Sequence, residues 1–240
     1  MALTVLITGF GPFPGAPFNP SMALAKNLAR RRRPALSEIE RIAHVFPTSY
    51  AAVERELPDL IARYRPDLVL LFGLAQRTPH LRIEARARNR RSVLFGDVDG
   101  THPSFAIRAR DPAALMARAP QQPLRIAART ARVPVGLSSD AGKYLCNFAY
   151  WRALELARND RGLVQFVHVP IVSRAGTRIR RSGWKRRRLN EADLLRAGEA
   201  ILRALLVAVR ELAGRHGRAL ATIDSGSAAT RPQARIAAMG

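Results

Sequence analysis

Short, nearly continuous apolar runs alternate along the chain with longer amphipathic ones. Leu3, Val5, Leu6 and Ile7 precede Gly9, which predicts a buried strand over Thr4 to Thr8. A turn-rich stretch follows, and Asn19-Pro20-Ser21 opens a helix to about Arg32, with Asn19 as N-cap and Pro20 in the first turn. Ser49 caps a second predicted helix, Tyr50 to Tyr64, in which Pro58 should kink or break the run. Leu68 to Phe72 reads as a buried parallel strand, and Leu81 to Ala87 as another. Residues 88–105 read as a long loop. Short helices are predicted over Asp111 to Arg118 and Leu124 to Ala131. Val133 to Ser138 is strand-like, Lys143 to Asn159 is helical by periodicity, and Leu163 to Val169 is a β-run ended by Pro170. Asn190 caps a long helix to about Arg215, with Leu194, Ile201, Leu202, Leu205 and Val209 on one side.

Strands alternating with helices predict an α/β fold, a three-layer α/β/α arrangement around a mostly parallel twisted sheet. We find no internal repeat and no interdomain linker. The expected organisation is a single domain over 1–217 and a disordered tail over 218–240, which is small, polar and Gly/Ser/Pro-bearing.

Composition narrows the class. In 240 residues, 48% hydrophobic content supports a sizeable core and argues against disorder of the whole chain. No apolar run reaches the roughly 18 residues of a membrane-spanning helix. Met1-Ala2-Leu3-Thr4 leads directly into the first strand without a charged segment, so no signal peptide is expected. A single cysteine, Cys146, excludes an intrachain disulfide and a Cys-based zinc cluster, and fits a reducing cytoplasm. No His/Asp/Glu set has convincing metal-ligand spacing. The net charge of +22 raises nucleic acid as a partner. However, 37 of the 40 basic residues are Arg, spread through nearly every segment, which looks more like compositional bias than a binding stripe. Three clusters stand out, at Arg30 to Arg33, Arg86 to Arg91 and Arg178 to Arg188.

Four local patterns could carry chemistry. Gly9-Phe10-Gly11-Pro12-Phe13-Pro14-Gly15 follows a strand, but Pro12 and Pro14 remove the backbone donors a phosphate loop needs. Phe10 and Phe13 either wall a small apolar pocket or pack in the core. Cys146 follows the turn Asp140-Ala141-Gly142, which sets it near a helix N-terminus. There the helix dipole favours a thiolate and free N–H groups suit an oxyanion. An inert buried thiol fits the same pattern. His168 ends a strand, where α/β proteins place functional groups, although a strand histidine is more often structural. Glu84, among arginines, is either a surface ion-pair partner or a carboxylate that orients an imidazole.

Taken in order, these segments resemble pyroglutamyl peptidase I, the pyrrolidone-carboxylate peptidases of the C15 cysteine peptidase family. Leu6-Ile7-Thr8-Gly9-Phe10-Gly11-Pro12-Phe13 with Asn19-Pro20-Ser21 is similar to the family's opening signature. Asp140 to Asn147 resembles its nucleophile motif, Phe166-Val167-His168-Val169-Pro170 its histidine motif, and Arg82-Ile83-Glu84 through Asn89 its glutamate segment. The likeness spans roughly residues 3–215. It implies a phosphorylase/hydrolase-like fold, with Cys146 as nucleophile, His168 as proton carrier and Glu84 as its orienter. It also implies Phe10, Phe13 and Asn19 at the substrate. Peptides with an N-terminal pyroglutamate would be the substrates and a homo-oligomer, often a tetramer, the assembly. The implied chemistry needs no metal or organic cofactor. Some positions depart from the family. Leu74 stands where a glutamine is usual, residues 90–95 lack an Asp-Ala-Arg segment, and Arg174 to Arg188 has no recognised counterpart.

Two other classes remain at this point. One is a thiol hydrolase of the same fold acting on a different small acyl group. The other is a non-catalytic basic protein binding nucleic acid or another polyanion. Sparse aromatics, 6% and not interleaved with the basic runs, argue against base stacking in the latter.

Overall fold

A computed structural model describes residues 2–13, 15–92, 96–100, 105–158, 162–173 and 188–227, with side chains described to 215. Strands β1 (Leu3–Phe10), β2 (Ile39–Phe46), β3 (Leu68–Leu74), β4 (Leu81–Glu84), β7 (Val135–Ser138) and β8 (Leu163–Val169) form one six-stranded sheet. Its order is β2-β1-β3-β8-β4-β7. β2, β1, β3 and β8 run parallel; β4 turns antiparallel to β8, and β7 follows β4 in parallel. A small antiparallel ribbon pairs β5 (Arg86–Arg88) with β6 (Ala114–Met116).

Side chains alternate along a strand, so each buried strand serves two cores. Val5, Ile7, Leu68, Leu70, Phe72, Leu163 and Val167 pack on one face. That face is covered by α1 (Pro20–Ala29), α3 (Gln121–Thr130) and α5 (Glu191–Ser227). Leu6, Val69, Leu71, Val164 and Phe166 pack on the other, under α2 (Tyr50–Tyr64) and α4 (Leu145–Leu156). The result is the expected three-layer α/β/α fold. Among the described residues, no helix is long and apolar enough to cross a membrane.

Several helix boundaries follow from capping chemistry. The Asn19 side chain accepts from Ser21 N–H at 3.1 Å, and that of Ser49 from Ala52 N–H at 3.2 Å. Asn190 and Asp193 exchange side chain-to-backbone bonds of 2.9 Å in both directions, a reciprocal cap at the head of α5. Pro58 lies inside α2 without ending it.

Other expectations need correction. Residues 111–118 are not helical, because Leu115 is buried in the α2/α4 core and its neighbours pair as β6 with β5. The single strand predicted over 81–87 is two strands in different sheets. Ala85 is the junction: its N–H donates to Ser138 and its carbonyl accepts from Ala117. α1 stops at Ala29, and α5 runs on to Ser227, past Arg215. Residues 228–240 of the predicted tail, and 174–187 of the basic loop, lie outside the described residues.

The β1–α1 junction depends on glycine at position 9. A Cβ there would lie 2.4 Å from the Ser21 carbonyl oxygen, which is backbone and cannot swing away. Gly9→Ala is therefore expected to destabilise the fold by about 1–3 kcal/mol. Urea denaturation should show a lower midpoint with an unchanged slope; an unchanged midpoint would refute the close approach.

Candidate active site

The strand period decides which side chains share a face. In β8, Val164 and Phe166 pack toward α4, so His168, two residues on, faces α4 as well. In β4, Leu81 and Ile83 belong to the opposite core, which leaves Arg82 and Glu84 on the α4 side. The antiparallel register sets Arg82 across from His168 and Glu84 across from Phe166. Glu84 and His168 are thus a diagonal cross-strand pair. His168 Nδ1 lies 2.8 Å from Glu84 Oε1. A carboxylate can only accept, so Nδ1 carries the proton and Nε2 is left to face the helix.

Glu84 is completely buried. Its Oε1 also meets Arg82 Nη2 at 3.2 Å, and Arg82 Nη2 in turn bonds Ser138 Oγ at 2.6 Å and the Asp140 carbonyl. The Glu84 carbonyl accepts from Tyr150 Oη at 2.8 Å and Gln165 Nε2 at 3.0 Å. Side chain and backbone of Glu84 are therefore both held.

Cys146 is the second residue of α4 and is half-buried. Gly142, at φ +87°, and an Asp140 side chain accepting from Gly142 N–H at 3.1 Å make the turn into this helix. The N-cap, Tyr144, contributes no side-chain cap, so the first-turn N–H groups have no partner within the helix. The adjacent Asn147 is fully buried. It accepts from Arg88 N–H at 2.8 Å and donates to the carbonyls of Arg88 and Arg90 at 2.8 and 2.9 Å, fastening the chain beyond β5 to α4. β3 supplies the space for the sulfur. A Cβ on Gly73 would come within 2.7 Å of Cys146 Sγ and 2.6 Å of the Phe166 ring.

The imidazole reports the balance of forces. Burial alone would lower the His168 pKa. Hydrogen bonding to Cys146 and Glu84, together with their negative charge, outweighs it and pushes the value up to about 9. Cys146 at the helix start and the buried Glu84 thus both act on the one imidazole of His168, Glu84 through a direct hydrogen bond.

The site opens on a cleft of about 860 Å³ whose walls include Phe13, Leu74, Asp97, Tyr144 and His168. It lies at the carboxyl ends of β1 and β3, where the strand order reverses and open α/β sheets hold ligands. Of the three residues expected at substrate, Phe13 lines the cleft. Phe10 is buried, with its ring 5.9 Å from that of Phe46. Asn19 is also buried; besides capping α1 it donates to the Gly11 carbonyl at 3.1 Å, holding the loop that presents Phe13. Leu74, the departure from the family's glutamine, is part of the wall.

Arg82, Gly73, Tyr150, Gln165 and Asp97 were not singled out from sequence. Three carried usable signals. Arg82 shares Glu84's strand face, Tyr150 is one helical turn beyond Cys146, and Gln165 is the lone amide in an apolar strand. Asp97 reaches the site from a distant loop by accepting from Tyr50 N–H at 2.8 Å, and no local pattern announces it.

Comparison with known proteins agrees with this geometry. The pyroglutamyl peptidase family model matches residues 3–182. The pyrrolidone-carboxylate peptidase of Thermococcus kodakarensis is 33% identical over 171 residues, covering 70% of this chain and 81% of its own length. That of Cupriavidus taiwanensis is 31% identical over 179 residues, covering 73% and 82%. Among solved structures, the pyrrolidone carboxyl peptidase of Thermococcus litoralis superposes with a TM-score of 0.76 at 26% identity, over 87% of this chain and 96% of its own. Sequence and backbone agree that this chain belongs to the pyroglutamyl peptidase family.

Proposed function

We propose that the protein is a cysteine peptidase that removes an N-terminal pyroglutamyl residue from peptides. The observation that carries this reading is the Cys146–His168–Glu84 line opening on the cleft at the head of α4. The Cys146 thiolate adds to the carbonyl that joins pyroglutamate to the next residue. Free N–H groups of the first turn of α4 stabilise the oxyanion. The His168 imidazolium gives its proton to the leaving amine as the C–N bond breaks, which leaves a pyroglutamyl thioester. His168 then takes a proton from water, the hydroxide cleaves the thioester, and pyroglutamate and the free thiol are released. Glu84 keeps the ring in one tautomer and stabilises its cationic form.

A pyroglutamyl residue has no α-amine, so recognition must rest on its apolar ring and lactam amide. Phe13, Leu74 and Tyr144 offer the ring an apolar wall. Phe10 supports that wall from the core, and Asn19 sets the loop that carries it. Leu74 in place of a polar residue favours, as a second reading, another small acyl group processed by the same thiol. The reaction needs a reduced thiol, which a reducing compartment, the cytoplasm, would preserve.

Release of a fluorescent amine from a pyroglutamyl anilide tests the assignment. Cys146→Ala and His168→Ala should fall to background, and Glu84→Gln should lose roughly 10²–10⁴-fold in kcat. Full activity in Cys146→Ala would end the reading. Wild-type inactivity with selective alkylation of Cys146 would favour the other acyl group.

The pH profile tests the imidazolium. A value raised above 6.5 means the proton is kept through neutrality and lost near pH 9. The alkaline limb of kcat/KM should therefore fall near pH 9, and in Glu84→Gln it should move down toward 6.5. An unmoved limb would mean that Glu84 does not hold the imidazole's charge.

Gly73→Ala should lower kcat by tenfold or more, because its methyl group occupies space used by the sulfur. The far-UV spectrum should not change. Wild-type turnover in this variant would contradict the position assigned to Cys146.

A further inference from the structure

A second, larger depression adjoins the catalytic cleft. It encloses about 1170 Å³, and the segment Gln76-Arg77-Thr78, between β3 and β4, lines both. Its other walls come from the α3–β7 turn and the head of α5, which bring Arg132, Arg188 and Arg196 around one space. Arg77, Arg132 and Arg188 are exposed, and none has a carboxylate within 4 Å among the described residues. Arg196 is paired with the buried Asp193, the one acid in the lining among the described residues.

Several arginines elsewhere in the fold are engaged. Arg31 and Arg33 pair with Glu199, Arg108 with Glu54 and Glu155, and Arg152 with Glu54 at 2.9 Å. Arg86 donates to the Ser139 carbonyl, and Arg90 lies over the Phe105 ring at 4.4 Å. Those cations fasten elements together. In the depression three cations, none paired to a carboxylate among the described residues, converge on one space beside the catalytic cleft.

We propose that this basic groove binds the acidic leaving portion of the substrate, so that peptides with Asp or Glu shortly after the pyroglutamyl residue are preferred. The inference rests on the peptidase reading above. The pyroglutamyl ring occupies the apolar wall at Phe13 and Leu74, and the chain beyond the scissile bond extends at about 3.3 Å per residue. It passes Gln76 to Thr78 and enters the groove, where carboxylates meet Arg77, Arg132 and Arg188. Exposed pairs are weak singly, and several cations around one concavity act together and steer an anionic chain toward it.

Matched peptides pyroglutamyl-Ala-Asp-Asp, -Ala-Leu-Leu and -Ala-Lys-Lys test the preference beside the pyroglutamyl anilide. At low salt, kcat/KM should be about tenfold higher for the acidic peptide than for the basic one, and the gap should shrink at high salt. In the double variant Arg132→Gln/Arg188→Gln the gap should close while anilide turnover is unchanged. Calorimetric binding of the product peptide Ala-Asp-Asp requires no turnover, so it reads the groove even if the anilide is not cleaved. Binding that weakens with salt and in the double variant supports the groove. Equal binding of Ala-Asp-Asp and Ala-Lys-Lys, or a preference that survives the double variant, overturns it. An oligonucleotide that binds the groove while Ala-Asp-Asp does not would overturn it in favour of a nucleic acid.

Discussion

A carboxylate with no solvent exposure, held across the antiparallel β4–β8 junction of the main sheet, governs the arrangement of the site. Burying such a charge costs several kcal/mol unless cations and donors meet it. Glu84 meets Arg82 along its own strand and His168 across the junction. The antiparallel register of β4 on β8 sets both on the α4 face at this spacing. The imidazole, acted on by Cys146 and Glu84, also couples stability to pH. Because the His168 pKa is raised from 6.5 to about 9, its stabilising effect is complete below 6.5 and is lost as pH rises through 9.

α4 does more than carry Cys146. Residues one and four positions beyond the sulfur hold the elements that surround it. Asn147 binds the backbone at Arg88 and Arg90, and Tyr150 binds the Glu84 carbonyl. The helix that aims Cys146 therefore also sets the strand that bears Glu84. Displacement of α4 would move both together. Gly73 is the matching concession in the sheet, since only an absent Cβ lets the sulfur approach β3.

Much of this was legible from periodicity and caps. The buried strands β1, β3 and β8, and the starts of α1, α2 and α5, follow from apolar runs and from Asn19, Ser49 and Asn190, whose chemistry is local. Cys146, His168 and Glu84 were legible as candidates because each stands near the end of an element. Their convergence was not, because it depends on strand order and on the direction of β4, which no local pattern encodes. β6 was misread for the same reason. Ala114–Met116 pairs with β5, which is itself fastened to α4 through Asn147, a partner distant in sequence. Phe10 and Phe13 look equivalent in sequence, yet the turn at the end of β1 sends one to the core and one to the cleft.

The charge of +22 makes the position of each counter-charge matter. With 18 acids for 40 basic residues, one-to-one pairing leaves 22 basic residues over, and solvent screening must serve for those without a partner. Three of the acids stand where elements meet: Glu199 between the end of α1 and α5, Glu54 and Glu155 between α2, α4 and the segment before β6. These pairs hold layers together, and Arg77, Arg132 and Arg188 on the rim beside the cleft have no such partner among the described residues. A small acid such as pyroglutamate is also drawn to that rim after cleavage. An acidic peptide held at several arginines competes better for it than a single carboxylate, so the asymmetry in pairing favours capture of anionic chains over retention of the small product.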